Sequence, residues 1–320
     1  MKPDSTIDVY ADLGIRPIIN CQSQRTSLGG SLLSPEVELA MKEANSSYVI
    51  MPELMNKAGE RVADLMGVEA AYITSGCAAA LALSAAACMA GNDQEKRGRI
   101  PNTTGMKNEI VIQKAQRYGY DRSFTIAGAI LVEAGEQDSC SIQQFEAALG
   151  SRTAAVAYLV EAEHGSSLPL EDVVEIAHSH GIPVIADAAA QIYPIDYFLE
   201  TAQTADLVCF GGKFFGAPNS TGFVCGKKEL VDAVVYDSQV SDVAFGRQPD
   251  GSPDWFFFAT PTPDTANSTE GFQEKILTPA PVYALPGGFY RGSQAIQLSP
   301  SPGAVRSPPQ RRRGASSVSL

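Results

Sequence analysis

Histidine and tryptophan are scarce in this 320-residue sequence, which holds three of the first and one of the second. His164, His178 and His180 lack carboxylates at metal-ligand spacings, so a zinc site is not expected. His178 and His180 stand just before Gly181 at the end of a helical pattern, where they are expected to meet the free carbonyls of a helix C-terminus. No run of about 18 apolar residues occurs, so no bilayer-spanning helix is expected. The opening stretch MKPDSTIDVYADLG carries Asp4, Asp8 and Asp12 and no apolar segment, which argues against a secretory leader. Paired cysteine motifs are also missing. Cys21, Cys77, Cys88, Cys140, Cys209 and Cys225 are scattered, and read as reduced, mostly buried residues of a cytoplasmic protein. Basic residues are in deficit, 24 against 36 acidic, and the net charge of −12 argues against nucleic acid or an anionic membrane as the main partner. What is present is enough apolar surface for a core: 44% of the residues are hydrophobic, which excludes disorder of the whole chain.

The charge deficit is not uniform. Residues 1–240 hold 17 basic and 30 acidic side chains with 9 prolines, whereas residues 241–320 hold 7 and 6 with 11 prolines. The expected organisation is an N-terminal arm and first helix (1–45), a large domain (46–240), a proline-rich β-like stretch (241–306) and a disordered basic tail (307–320).

Within the acidic part, Ser34-Pro35-Glu36 is a helix start, with a capping hydroxyl, proline at the first helical position and an acid in the first turn. The helix it opens is expected to reach about Ala44. The run ELMNKAGERVADLMG predicts a second helix with Leu54, Ala58, Val62 and Leu65 on its apolar face and Gly67 as its stop. Then follow the strand AAYI, the turn TSG and an alanine-rich helix CAAALALSAAACMAG. EIVIQ, AILVE, AAVAYLV and IPVIADAA read as strands, and SIQQFEAAL and LEDVVEIAHSHG as helices between them. ADLVCFGGK and TGFVCGKK are strand-like runs on either side of a glycine-rich loop. Apolar strands without alternation, separated by helices, predict an α/β fold whose mainly parallel sheet is covered on both faces. The polar stretch NDQEKRGRIPNTTGMKN is expected to be a surface loop.

Three features converge if the sheet is doubly wound, because ligands settle at the carboxyl ends of its strands. Ser75, Gly76 and Cys77 open the alanine-rich helix, where backbone N–H groups could hold a phosphate, although glycine between strand and helix also makes an ordinary turn. Asp187 follows the strand IPVIA and reads either as the cap of a turn or as a buried anion opposite a protonated ring nitrogen. Lys213, in CFGGKFFGAPNSTGF, is flanked by glycine and aromatic residues, so partial desolvation and a nucleophilic amine are expected. Phosphate cradle, acid and lysine in this chain order suit pyridoxal 5'-phosphate.

Residues 9 to about 236 resemble the branch of fold-type-I pyridoxal-phosphate enzymes that contains selenocysteine synthase and D-glucosaminate-6-phosphate ammonia-lyase-like proteins. The matching stretches are LGIRPIIN, TSLGGSLLSPEV, AGERVADLMGVEAAYITSGCAAALALSAAACMAG, LPLEDVVEIAHSHGIPVIADAAAQ and DLVCFGGKFFGAPNSTGFVCGKKEL. The resemblance assigns Lys213 to the internal aldimine, Asp187 to the pyridinium nitrogen, and Ser75, Gly76 and Cys77 to the phosphate. It brings Ser220 and Thr221 near the phosphate of a partner subunit and implies a homodimer or higher homo-oligomer. Relatives often carry a histidine over the ring; here QKAQRYGYD has Gln116, with Arg117 and Tyr118 as substitutes. Asn20, Arg25, Gly29 and Gly30 are further candidates for substrate binding, or for ordinary turns. The implied activity is lyase or transferase chemistry at Cα or Cβ of a small amino compound, an amino acid or amino sugar acid.

The resemblance also implies a C-terminal small domain after KKELVDAVV, and the residues from about Ser241 are not expected to form it. FGRQPDGSPDWFFFATPTPDTANST is similar instead to the end of a lamin-tail module, and ILTPAPVYALPGGFYRGSQAIQLSPSPGAV to the start of a chitobiase/hexosaminidase C-terminal module. The alternative reading is therefore a non-catalytic truncated or chimeric product, or an extracellular binding fusion.

Overall fold

The computed structural model describes residues 9–160 and 166–234 and four short strands beyond them. Two units emerge, Met1–Met41 with Met51–Val235, and Lys42–Ile50 with Tyr236–Leu320. Helices α1 (Val9–Asp12), α2 (Pro35–Ala44) and α3 (Met51–Met66) precede strand β1 (Ala70–Thr74). Then come α4 (Cys77–Ala90), α5 (Gln94–Arg99), β2 (Glu109–Gln113), β3 (Ile130–Ala134), α6 (Ile142–Ala148) and β4 (Thr153–Leu159). The first unit closes with α7 (Leu170–Ser179), β5 (Val184–Asp187), α8 (Ile195–Thr204), β6 (Leu207–Gly211), β7 (Gly222–Gly226) and α9 (Lys228–Val234).

Seven strands form one sheet in the order β1-β7-β6-β5-β4-β2-β3. The five from β6 to β3 are parallel, and β7 runs antiparallel between β6 and β1. Both faces are covered, as the uninterrupted apolar strands predict. Val111, Val156, Val184, Ala186, Val208 and Phe210 face the core beside α3, α7 and α8. Their neighbours Ile110, Ile112, Ala155, Ala157, Ile185, Leu207 and Cys209 face the core of α4 and α9. Alanines along α4 let that helix lie close to the strands on its own face.

Beyond this unit, β8 (Ala244–Arg247) pairs antiparallel with β9 (Trp255–Phe258), and β10 (Val282–Tyr283) with β11 (Leu298–Ser299). The rest of the expected β-like stretch, the expected basic tail at 307–320 and His164 lie outside the described residues. Among the described residues, no helix is long and apolar enough to cross a membrane.

Three local expectations need correction. The buried residues of α3 are Gly59, Ala63 and Met66; of the expected face Val62 packs against the core in part, whereas Leu54 is 46% and Leu65 62% exposed. Gly59 causes the rotation: any side chain there would collide with the Ala71 carbonyl of β1, so the helix approaches the strand through its glycine. The polar stretch after α4 is not all loop, because Asp93 caps α5 by accepting from the N–H groups of Glu95 (3.0 Å) and Lys96 (3.1 Å). Of the two histidines, His180 does face a carbonyl, that of Ile176 at 3.0 Å, but His178 Nε2 lies 2.8 Å from the Asp206 carboxylate.

Asp206 is 2% exposed and takes three partners: His178, Lys227 Nζ at 2.5 Å and the Val184 N–H at 2.7 Å. Burial opposes its charge, yet the hydrogen bonds from Lys227, His178 and Val184 prevail and hold its carboxyl below the usual carboxylate range. Stability from this depressed group is complete above the ordinary carboxylate range and is lost as the pH falls through the lower, folded-state value. Asp206→Asn is therefore expected to flatten the acid limb of the melting curve against pH. Asp206→Ala, which also strands the Val184 N–H, is expected to cost about 3 kcal/mol in denaturant melts at neutral pH.

Candidate active site

Strand parity sets the site. Along β5, Val184 and Ala186 face one core and Ile185 the other, so Asp187 projects to the α4 side. There it is 4% exposed. Its Oδ1 accepts the Ala189 N–H at 3.1 Å and lies 3.4 Å from Cys77 Sγ, while the Tyr118 hydroxyl donates to its Oδ2. The cap and the buried anion expected of Asp187 are thus one arrangement, since the Ala189 contact closes the turn and leaves the carboxylate inside. Cys77 also approaches the Cys209 carbonyl at 3.5 Å. Burial, then the charge of Asp187, push the Cys77 thiol well up, and the same two causes in the same order raise the Tyr118 phenol. Both side chains therefore keep their protons and act as donors.

The turn before α4 is built for close approach. Gly76 has φ +122°, a conformation that side chains disfavour, and a Cβ there would meet nothing within 4 Å. The space beside Gly76 is open, and the first N–H groups of α4 have no partner inside the helix. Thr74 Oγ1 donates to the Gly76 carbonyl at 2.9 Å, holding the turn. Gly222 of β7 packs behind it: a Cβ there would lie 2.6 Å from the Phe210 carbonyl, 2.7 Å from Gly76 C and 2.8 Å from Cys77 N. Ser75 is exposed beside this turn.

Lys213 lies in a 310 turn, Gly212–Phe215, immediately after β6. Hydrogen bonds from Gly212 N to Thr221 O (2.7 Å) and from Ala217 N to Gly212 O (3.1 Å) close the loop around it. Phe215 packs on Phe198, Phe210 and Phe223, while the lysine is half-buried rather than enclosed. Its Nζ donates to Thr26 Oγ1 at 2.5 Å and stands 5.0 Å from the Phe214 ring centre. The N-terminal segment thus meets the loop, and Ser31 Oγ adds a bond to the Lys213 carbonyl. Neither contact was legible in the sequence, since Thr26 and Ser31 sit in the stretch TSLGGS without any local pattern that points to Lys213.

The remaining candidates are placed differently. Gln116 is buried, and its amide bridges the N–H and carbonyl of Leu159 at 3.4 Å each, which commits it to the end of β4 rather than to covering a ring. Arg117 bonds Asp121 and Glu133, so of the three neighbours only Tyr118 reaches Asp187. Thr221 donates its hydroxyl to the Pro218 carbonyl at 2.6 Å, a loop-closing use within its own subunit, and Ser220 is exposed. Asn20 makes a turn, accepting the Gln22 N–H at 2.8 Å and donating to the Ser23 carbonyl at 2.9 Å. Arg25 and Gly29 lie in the exposed turn that follows, and Gly30 is buried.

Residues 41–243 match the model of the family described as Aminotransferase class-V. The chain is 36% identical over 233 residues to 5'-C-glycyluridine monooxygenase-decarboxylase from a Streptomyces species, covering 70% of this chain and 57% of that protein. It is 34% identical over 236 residues to D-glucosaminate-6-phosphate ammonia lyase from Salmonella typhimurium, covering 71% and 63%. L-seryl-tRNA(Sec) selenium transferase of Nautilia profundicola is 26% identical over 65% of this chain and 49% of its own length. A solved structure of D-glucosaminate-6-phosphate ammonia-lyase superimposes with a TM-score of 0.66 at 31% identity, over 72% of this chain and 63% of that one. The chain thus spans about half to two thirds of the length of these relatives. With most of the match falling on the unit that carries Asp187, Gly76 and Lys213, the chain belongs to the aminotransferase class-V family of pyridoxal-phosphate-dependent enzymes.

Proposed function

We propose that this chain holds pyridoxal 5'-phosphate at the carboxyl edge of its sheet and acts as a lyase or transferase at Cα or Cβ of an amino acid or amino sugar acid. The observation that carries this reading is the burial of Asp187 beside the N-terminus of α4, with Lys213 two residues past the end of the adjoining strand β6. The N–H groups of Ser75, Gly76 and Cys77 would hold the phosphate in the open space before α4. Asp187 would hold the ring nitrogen, and Lys213 would bond the cofactor carbonyl. When bound, the cofactor supplies an electron sink for a bond broken at Cα. Lys213 Nζ, displaced by the substrate amine, would carry a proton to or from Cα and Cβ, with Thr26 Oγ1 beside it as an acceptor.

The names of the two relatives above 30% identity favour a small amino compound, and the net charge of −13 over residues 1–240 disfavours a tRNA. A homodimer or higher homo-oligomer is part of the proposal, supported by apolar side chains left in water near the N-terminus, with Ile19 92% and Leu32 98% exposed. A cytoplasmic setting fits the six free cysteines.

The test is reconstitution. Purified protein titrated with pyridoxal phosphate is expected to gain a saturable visible band, and borohydride reduction followed by peptide mapping is expected to fix the pyridoxyl group on Lys213. A well-folded protein without a band, or a label on another lysine, would refute the assignment and leave the non-catalytic alternative.

A further inference from the structure

Asp187 is held by a side chain outside the pattern from which it was read. The segment after β2 first turns through a 310 turn, Lys114–Gln116, and Asp121, 6% exposed, then takes the Tyr118 N–H at 3.3 Å. Arg117 bonds the same Asp121 oxygen, so the backbone at 118 is anchored before its ring enters the site. That ring ends on Asp187 Oδ2, while the Ala189 N–H and Cys77 Sγ meet Oδ1. The terminal torsion of an aspartate is broad and two-fold, so its carboxyl plane is set by what its oxygens meet. At 4% exposure, water has little part in that, and protein donors do it. The phenol remains protonated beside the carboxylate, for the reasons of burial and charge given above.

We propose that Tyr118 is a positioning residue for Asp187: its hydroxyl fixes Oδ2, and with it the carboxyl plane that meets the ring nitrogen of the cofactor. This rests on the reading that pyridoxal phosphate binds here. With Gln116 in place of a ring-covering histidine, the segment's contribution to the site comes two residues later, through the Tyr118 hydroxyl on Asp187 Oδ2.

The experiment compares two ligands, pyridoxal phosphate and its analogue with carbon in place of the ring nitrogen, in titrations of wild type, Tyr118→Phe, Asp187→Asn and the double variant. Phenylalanine keeps the ring and removes only the hydroxyl, and thermal melts of the cofactor-free proteins verify the fold. Tyr118→Phe is expected to weaken pyridoxal phosphate about tenfold, as befits one hydrogen bond to a charged group, and to leave the analogue within about twofold of wild type. In the Asp187→Asn background, Tyr118→Phe is expected to cost less than about twofold for either ligand. Equal weakening of both ligands would mark Tyr118 as merely structural and overturn the proposal, as would unchanged binding of both. A full tenfold loss in the Asp187→Asn background would do the same. If wild type bound neither ligand, the cofactor reading itself would fall first, and that outcome precedes any variant.

Discussion

Lys213→Ala is expected to abolish the visible band of the reconstituted protein and to lower turnover by roughly 10⁴-fold or more, the combined loss of a covalent attachment and of a general acid-base at Cα. The size of the effect follows from geometry. The loop from Gly212 to Thr221 is closed by backbone hydrogen bonds at both ends, so it presents one amine to the edge of β6 and has little freedom to offer another. Stability should barely change, because the side chain is half-buried and its main partner is the exposed Thr26 hydroxyl. Noncovalent binding should persist, since Asp187 and the N-terminus of α4 are untouched. Stopped-flow absorbance and equilibrium dialysis on the same preparation separate the two effects. A retained band would place the reactive lysine elsewhere and undo the proposed chemistry.

Gly222→Ala is expected to cost about 2 to 3 kcal/mol, or roughly 5–10 °C in the melting midpoint. Its added carbon would stand within 2.8 Å of three backbone atoms, one on β6 and two where α4 begins. Backbone cannot rotate aside as a flexible side chain can, so either the strand or the helix start has to shift. A shift of the helix start moves Gly76 and Cys77, so the variant is expected to lose pyridoxal-phosphate affinity even at temperatures where it is folded. Gly150→Ala, whose added carbon meets nothing within 4 Å, is the control and should melt like wild type. Equal melting of the two variants would show that β7 and α4 tolerate separation, contrary to the packing described.

The strands were legible because burial on both sheet faces removes alternation, and apolar runs such as AAVAYLV are hard to read otherwise. Asp187 and Lys213 were legible because each breaks an apolar or glycine-rich context at a strand end. What escaped was set by tertiary contact. The periodicity of α3 favoured its leucines, yet the absence of a side chain at Gly59 turned another face inward. Helix α5 is too short and polar for an apolar period, and its signal was the capping Asp93 alone. Helix α8 went unread, although Phe198, Thr201 and Ala202 mark its buried stripe. Tyr118 stood only as a substitute for Gln116, because which of three neighbouring side chains turns inward depends on Asp121 anchoring the backbone.

The sheet order bears on how the protein is made. Strand β1 leaves the ribosome early, but its partner β7 follows almost 150 residues later, with Thr74 waiting for Gly222. Until then the turn at Gly76 has nothing behind it, and the apolar face of β1 has no edge to join. A nascent chain arrested anywhere between these strands carries an unpaired hydrophobic strand and no cofactor cradle, which makes it a natural client for chaperones during synthesis.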